Sequence, residues 1–299
     1  SHADVAMYNA KAGGKNRYSF YSSEMSLQSA RRLENEVQLR HAVTSGEFLL
    51  YYQPVMDAAT NEIAGAEALI RWDHPERGIV SPWEFISLAE ETGLIVPIGE
   101  LVVETACRQM LEWERAGIDV PHVAVNVSGR QMEEESFVPR LLNCLAETGC
   151  PASKITIELT ESTLMTRHEK ILSKLQQLKE AGLTIAIDDF GTGYSSMAYL
   201  KSFPINQLKI DRSFVKDIQS NTQDRAITQA MIALGRGLDM QIVAEGVSDE
   251  AQAELLGNLG CNLLQGFYFS QPLPAHEFVA FCRDHQPLSA KRRVMLKRV

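Results

Sequence analysis

The chain has 299 residues, of which 45% are hydrophobic and 22% charged, a composition typical of a soluble globular protein with a large core. Its formal net charge of −9 disfavours non-specific binding to duplex nucleic acid, because such binding needs basic side chains that neutralise phosphates. A small phosphate ligand remains compatible with this charge if metal ions offset the repulsion locally.

The cysteines and histidines of the chain argue against a disulfide scaffold and against a zinc site. No Cys-x-x-Cys pair occurs, and the seven histidines show no ligand spacing. The five cysteines are scattered: Cys107, Cys144, Cys150, Cys261 and Cys282. Neither an apolar run of membrane-spanning length nor a signal peptide is recognisable. We therefore expect a reducing, cytoplasmic location, while an inner-membrane anchor elsewhere in a longer protein stays open.

The first 25 residues do not form a domain pattern of their own. Residues 3–11 form a short amphipathic pattern that ends at Gly13-Gly14, and Tyr18 to Tyr21 could be a strand. This piece has no partner for its apolar face, so we interpret it as the end of another domain. Residues 26–45 then predict a helix that stops at Gly46. That helix could join two domains, or it could cap the main domain.

From Phe48 onwards predicted strands and helices alternate over about 240 residues, which indicates a (β/α)8 barrel. The predicted strands are Phe48–Gln53, Ile63–Trp72, His122–Ser128, Ile155–Leu159, Ile185–Asp188, Gln207–Asp211, Gln241–Glu245 and Asn262–Phe269. The predicted helices include Trp83–Glu91, Leu101–Ala116, one ending near Gly149 and one over Pro274–Cys282.

Three further helices carry more specific predictions. One helix shows a buried stripe of Ile171, Leu175 and Leu178 and stops at Gly182. A second shows a predicted buried face formed by Ile227, Ala230, Met231 and Leu234. In a third, Ser248 is the predicted N-cap of a helix that reaches Leu259.

Polar side chains stand near the ends of the apolar runs of seven consecutive strands. They are Glu67, Asn126, Glu158, Asp188, Asp189, Lys209, Glu245 and Gln265. A barrel enzyme carries its chemistry at the C-terminal ends of its strands. Buried carboxylates without a partner are costly, so a ring of them indicates bound cations. Oxygen ligands favour Mg²⁺ or Mn²⁺ over Zn²⁺, and two such metals can activate water against a phosphodiester.

Each of these residues also has an ordinary alternative. The alternatives are a surface acid for Glu67, a turn former for Asn126, helix N-terminal acids for Glu158 and Glu161, a snorkelling side chain for Lys209, a turn cap for Glu245, and solvated turn acids for Asp188 and Asp189. Each alternative is reasonable singly, but their joint occurrence in strand register favours a site.

The chain from about Leu33 to Cys282 resembles EAL domains, the phosphodiesterases that hydrolyse cyclic di-GMP. The matching motifs are Glu67-Ala68-Leu69 with Arg71, Gln53-Pro54, Asn126-Val127-Ser128, Glu158-Leu159-Thr160-Glu161, Asp188-Asp189-Phe190-Gly191-Thr192-Gly193, Lys209-Ile210-Asp211, Ala244-Glu245-Gly246-Val247 and Gln265-Gly266. Ser248 departs from the family, which often has glutamate there. The first segment resembles the end of GGDEF (diguanylate cyclase) domains through Ala6-Met7-Tyr8, Ala10-Lys11 and Gly14-Lys15-Asn16.

The resemblance implies a divergent barrel of the TIM type, with its first strand antiparallel to the rest. It implies that Glu67, Asn126, Glu158 and Asp188 hold one metal, and that Asp188 and Asp189 share a second. Lys209 and Glu245 would order or deprotonate the attacking water, and Glu161 would steady the loop after Asp189. The residues expected to contact the nucleotide are Gln53, Leu69, Arg71, Asp211 and Gln265. The product would be linear pGpG.

The resemblance also implies a domain order and partners. It predicts a GGDEF remnant over residues 1–25, a linker helix over 26–46, an EAL domain over 47–285 and a basic tail over 286–299. GGDEF and sensor domains would lie upstream, and a homodimer would form near the loop after Asp189.

Two other functions compete with the enzyme: a non-catalytic receptor for cyclic di-GMP and a protein-interaction module. The chain retains every acid expected of the enzyme, which favours catalysis.

Overall fold

The structure is a computed structural model that describes residues 23–165, 168–193 and 200–285. The predictions for residues 1–22 and for the basic tail, 286–299, lie outside these residues. The described chain divides into two compact units. The smaller comprises residues 23–48 and 72–95, and the larger comprises residues 49–71 and 96–285.

The strands form one hydrogen-bonded sheet that contains the predicted barrel. They are β1 (Phe48–Asp57), β2 (Ile63–His74), β3 (Gly78–Val80), β4 (Val123–Asn126), β5 (Ile155–Thr160), β6 (Thr184–Phe190), β7 (Gln207–Ile210), β8 (Gln241–Ala244), β9 (Leu263–Gln265) and β10 (Leu273–Pro274). Eight of them close a ring in the order β1-β9-β8-β7-β6-β5-β4-β2, with β2 paired to β1. β1 is antiparallel to β9, and the neighbours from β9 round to β2 are parallel. The predicted barrel with an antiparallel first strand is confirmed.

The helices follow the strands as the alternation predicted. They are α1 (Ser23–Ser45), α2 (Ile86–Thr92), α3 (Ile95–Arg115), α4 (Gly129–Glu133), α5 (Phe137–Thr148), α6 (Glu161–Met165), α7 (His168–Glu180), α8 (Arg212–Val215), α9 (Thr222–Gly237), α10 (Glu250–Leu259) and α11 (Ala275–Asp284). The stripe predicted on α7 is buried. Within the described ranges, none of the helices is long and apolar enough to cross a membrane. All five cysteines are free thiols.

The smaller unit is held by an aromatic cluster. Trp72 packs against Phe48 and Phe85, with ring centroids 6.2 and 5.8 Å away. The indole nitrogen of Trp72 donates a hydrogen bond to Glu47 Oε2 at 2.9 Å. Helix α1 ends before Gly46, whose φ of 70° permits the turn into β1.

Side chains of β1 alternate between the helix layer and the barrel interior, and this alternation orients the site. Tyr52 is buried and packs on Trp113 of α3 and Phe278 of α11, with centroids 4.7 and 6.0 Å away. Its neighbour Gln53 therefore points into the barrel, because successive side chains of a strand lie on opposite faces. The strand continues past the predicted end at Gln53, since Val55 pairs with Gln265 of β9.

The predicted buried face of α9 is confirmed at Met231, half-buried at Leu234 and wrong at its other two residues. Ile227 and Ala230 are exposed, and the buried residues are Thr228, Met231, Ile232 and Gly235. A Cβ on Gly235 would lie 2.0 Å from Ile242 Cδ1, so the missing side chain lets the helix backbone approach β8. A search for apolar residues overlooks a face built on glycine and threonine.

Two predicted boundaries also differ from the structure. Asp249, not Ser248, caps α10, since Asp249 Oδ1 accepts a hydrogen bond from Gln252 N at 2.8 Å. The carboxylate also interacts favourably with the helix dipole, which a hydroxyl does not. The last barrel strand ends at Gln265 rather than Phe269, because Gly266 begins a turn in which its carbonyl accepts from Phe269 N at 3.1 Å.

Candidate active site

The predicted site residues meet at one rim of the barrel, entirely within the larger unit. The C-terminal ends of parallel strands share one edge, and the N-terminal half of the antiparallel β1 lies at the same edge. The residues and their positions are Glu67 on β2, Asn126 on β4, Glu158 on β5, Asp188 and Asp189 on β6, Lys209 on β7, Glu245 after β8 and Gln265 on β9.

Lys209 lies at the centre of this cluster. Its Nζ is 2.7 Å from Glu158 Oε2 and 2.7 Å from Glu245 Oε1. It is also 3.3 Å from Asp188 Oδ1 and 3.5 Å from Glu67 Oε2. The side chain is only 2% exposed, so the alternative of a snorkelling surface lysine is wrong.

Glu67 is held by two amide side chains. Asn126 Nδ2 donates to Glu67 Oε1 at 2.6 Å, and Gln265 Nε2 donates to Glu67 Oε2 at 2.7 Å. Gln265 Nε2 also lies 3.1 Å from Gln53 Oε1. Glu67 is 6% exposed, which excludes the alternative of a surface acid. Gln265 Oε1 is buried without a hydrogen-bond partner among the described residues, so it is available to a ligand or a water molecule.

A bulge in β6 directs two adjacent carboxylates to the site. The register with β7 shifts between Ile187 and Phe190, and Asp189 has a φ of 53°, in the left-handed region. Asp189 N donates to Asp188 Oδ1 at 2.9 Å. Carboxylate oxygens of Asp188, Asp189 and Glu245 lie within 4.8 Å of one another. Glu245 therefore has the position of a possible cation ligand, besides the role at the water that the sequence predicted.

The cluster combines the single lysine Lys209 with a larger number of carboxyl groups, so its formal charges do not balance. Burial alone would lower the pKa of Lys209, but the surrounding carboxylates raise it well above its ordinary value. The charge of Lys209 and the hydrogen bonds from Gln265 and Asn126 lower the pKa of Glu67, against the effect of burial. These groups together favour the ionised form of Glu67.

The remaining carboxyl groups are less well compensated. Burial, with repulsion from neighbouring acids, raises the pKa of Glu158 well above its ordinary value. Burial raises the pKa of Glu245 to about 8. Burial and the adjacent Asp188 also raise the pKa of Asp189. Hard divalent cations would supply the missing positive charge, and oxygen donors are the ligands that they prefer. The donor set and the unpartnered Gln265 Oε1 both fit such ions.

Glu161 connects β5 to the loop that follows β6. It is the first residue of α6, as its alternative predicted, and it is 2% exposed. Its Oε2 accepts a hydrogen bond from Gly191 N at 2.9 Å. A Cβ on Gly193 would lie 2.7 Å from Glu161 Oε1, so a larger residue there would collide with the carboxylate. Residues 194–199, further along the chain, lie outside the part that the structure describes.

The residues predicted to contact a nucleotide extend the site outward. Leu69 and Arg71 follow Glu67 at two-residue intervals on β2, and therefore share its face. The Arg71 guanidinium lies over the ring of Tyr51, 5.3 Å from the centroid. Asp211 caps α8, and its Oδ1 accepts from Ser213 N at 3.0 Å.

The model of the family described as "EAL domain" matches residues 36–272. The chain belongs to the EAL domain family. It is 45% identical to the bifunctional diguanylate cyclase/cyclic di-GMP phosphodiesterase MucR of Pseudomonas aeruginosa, over 93% of this chain and 41% of that protein. It is 39% identical to the cyclic di-GMP phosphodiesterase PdeR of Escherichia coli, over 93% of this chain and 42% of that protein. The chain thus spans about two fifths of these relatives.

Solved EAL structures share the fold. The MucR phosphodiesterase in complex with c-di-GMP superposes with a TM-score of 0.79 at 45% identity, covering 82% of this chain and 99% of that one. The EAL enzyme Bd1971, with cAMP and cyclic di-GMP bound, gives a TM-score of 0.79 at 33% identity, covering 85% and 70%. The family predicted from the motifs is therefore confirmed. In this EAL domain the signature Glu67-Ala68-Leu69 lies on β2, and its glutamate points into the acidic cluster.

Proposed function

We propose that this EAL domain is a metal-dependent phosphodiesterase that hydrolyses cyclic di-GMP to linear pGpG. The observation that carries the proposal is the ring of buried carboxylates around Lys209 at the barrel rim. A protein that only binds a dinucleotide does not need so many buried acids, because each costs desolvation energy without a cation. The names of MucR and PdeR, to which the chain is 45% and 39% identical, support the same substrate.

The proposed cofactors are two Mg²⁺ or Mn²⁺ ions. Glu67, Asn126, Glu158 and Asp188 would hold one ion, and Asp188 with Asp189 would hold the other. The proximity of Glu245 to both aspartates makes it a further candidate ligand of the second ion. When bound, such ions polarise the phosphodiester and lower the pKa of a water molecule, which supplies the nucleophile.

The chain's own residues would orient the substrate and move the proton. Lys209 stays protonated among its carboxylates, so it donates hydrogen bonds to a phosphate oxygen or to the attacking water. Glu245 accepts from the same water as a general base or an orienting group. Glu161, through Gly191 N, restrains the backbone that follows Asp189.

The outer residues would bind the nucleotide. Arg71 makes charge-assisted hydrogen bonds to a phosphate or to a base edge. Gln53, Leu69, Asp211 and Gln265 complete the proposed binding surface. We also propose that the domain forms a homodimer whose interface lies near the loop after Asp189. The domain would belong to a longer protein that carries GGDEF and sensor domains.

Product analysis tests this function. The purified chain is incubated with cyclic di-GMP and Mg²⁺. The nucleotides are then separated by chromatography and identified by mass spectrometry. We expect pGpG from the wild type and none from Glu67→Ala. Binding of cyclic di-GMP without any pGpG would instead identify a receptor. If the chain neither binds nor cleaves cyclic di-GMP, both the enzyme and the receptor functions are overturned.

A further inference from the structure

Tyr51 faces the same side of β1 as the site residue Gln53. The intervening Tyr52 packs outward on Trp113 and Phe278, so its two neighbours point to the opposite side of the strand. Tyr51 is also nearer the start of β1, which is the rim side, because β1 runs antiparallel to β9. Its ring therefore lies above the layer of Gln53 and Gln265, at the mouth of the site.

Arg71 reaches the same level from β2. Glu67, Leu69 and Arg71 lie on one face of the strand, and four residues of strand span about 13 Å. The backbone of Arg71 thus lies further along β2, nearer the rim, than that of Glu67, although the Glu67 carboxylate still acts on the pKa of the guanidinium. This position suits a group that contacts the outer part of a dinucleotide.

The Arg71 side chain lies over the Tyr51 ring. The guanidinium carbon lies 5.3 Å from the ring centroid, within the range of a cation–π interaction. Arg71 Nη1 donates to the adjacent carbonyl of Ile70 at 2.8 Å, which fixes one edge of the guanidinium. Among the described residues no carboxylate lies within ion-pair distance of Arg71. The other edge is therefore free to donate to an anionic ligand.

We propose that Tyr51 is a positioning residue that holds the Arg71 guanidinium over its ring face, oriented toward the nucleotide. This inference rests on the proposed function, since the nucleotide is the ligand that Arg71 would meet. Without the ring, the long arginine side chain would sample several rotamers, and ligand binding would have to order it. The aromatic face fixes it beforehand and leaves its donors unoccupied.

Two substitutions separate the ring from the rest of the residue. Tyr51→Leu removes the aromatic face but keeps an apolar side chain, whereas Tyr51→Phe keeps the face and removes the hydroxyl. The dissociation constant of cyclic di-GMP is measured by calorimetry with Ca²⁺ in place of Mg²⁺, and kcat and KM are measured with Mg²⁺. We expect Tyr51→Leu to weaken binding and raise KM about fivefold, with little change in kcat. Tyr51→Phe should keep the wild-type affinity.

A double-mutant cycle distinguishes positioning from a merely structural role. In an Arg71→Ala background, Tyr51→Leu should cause no further loss of affinity, because the group that it positions is gone. Melting temperatures show which variants are folded, and Tyr51→Gln serves as a second ring-free variant if Tyr51→Leu does not fold.

The outcomes separate this inference from the proposed function. A wild type that neither binds nor cleaves cyclic di-GMP would overturn the function itself. A wild type that cleaves it, while Tyr51→Leu binds equally well, would overturn only the role of Tyr51. The role of Tyr51 would also be overturned if Tyr51→Leu weakened binding by equal factors with and without Arg71. It would be overturned as well if Tyr51→Phe lost as much affinity as Tyr51→Leu.

Discussion

Lys209 and Glu245 form an ion pair inside the barrel, with 2.7 Å between Nζ and Oε1. They come from β7 and from the residue after the adjacent β8. The pair brings a donor and an acceptor to one point beside the aspartates of β6, where an attacking water could be held by both.

The first prediction concerns this pair. Lys209→Ala and Glu245→Gln should still bind cyclic di-GMP but cleave it at least about a hundredfold more slowly, because in the proposed mechanism both groups act mainly in the transition state. Steady-state kcat and a separate binding titration check this. The control is Lys216→Ala, which removes an exposed lysine from the same unit. Near-normal kcat in both site variants would exclude them from the mechanism.

A second prediction follows from the unbalanced charge of the cluster. Lys209→Met should bind Mg²⁺ at least about tenfold more tightly than the wild type, because loss of the buried positive charge leaves its carboxylate neighbours uncompensated. The melting temperature as a function of Mg²⁺ concentration reports this affinity without any turnover. Equal Mg²⁺ dependence of the two proteins would show that Lys209 does not compete with cations.

The third prediction separates metal binding from nucleotide binding. Glu67→Ala should abolish turnover, since the substitution removes a buried carboxylate that we propose as a cation ligand. Arg71→Ala should chiefly raise KM and the dissociation constant, because its guanidinium packs on the Tyr51 ring and is not one of the proposed cation ligands. Cleavage by Glu67→Ala at the wild-type rate would place the reaction elsewhere.

The fourth prediction concerns Glu161. Glu161→Ala should raise the Mg²⁺ concentration needed for half-maximal activity while leaving the fold intact, because Gly191 loses the acceptor that restrains the chain after Asp189. Glu180→Ala removes an exposed acid at the end of α7 and provides the control. If both variants keep the wild-type Mg²⁺ dependence, Glu161 is only an acid at a helix start.

A fifth prediction tests the packing of α9. Gly235→Ala should destabilise the protein by about 1–3 kcal/mol, because the new Cβ would lie 2.0 Å from Ile242 Cδ1. Gly237→Ala, with nothing within 4 Å of its Cβ, should instead stabilise by at most about 1 kcal/mol. Urea unfolding of both variants measures the difference. Two changes of the same sign would show that the close approach to β8 is unimportant.

The barrel and its acidic rim could be predicted because both leave local patterns in the sequence. Apolar runs mark the strands, and polar residues such as Glu67 and Glu245 mark their ends. The resemblance of the surrounding motifs to those of EAL domains then assigns these residues to one site. The prediction for α9 held for Met231 but failed for the rest of the face, because glycine and threonine form part of it and neither appears in an apolar pattern.

Other features depend on contacts between distant residues. The bulge that gives Asp189 a positive φ arises from the register of β6 against β7. The approach of Glu245 to the aspartate pair, and that of Tyr51 to Arg71, depend on the closure of the ring of strands. Spacing along the chain carries no information on such approaches.

The dependence of hydrolysis on divalent cations tests the central claim most directly. Conversion of cyclic di-GMP to pGpG is measured with Mg²⁺ or Mn²⁺, then in excess EDTA, and again after Mg²⁺ is restored. The buried carboxylates predict activity with either cation, complete loss in EDTA and full recovery with Mg²⁺. Undiminished formation of pGpG in excess EDTA would contradict the account.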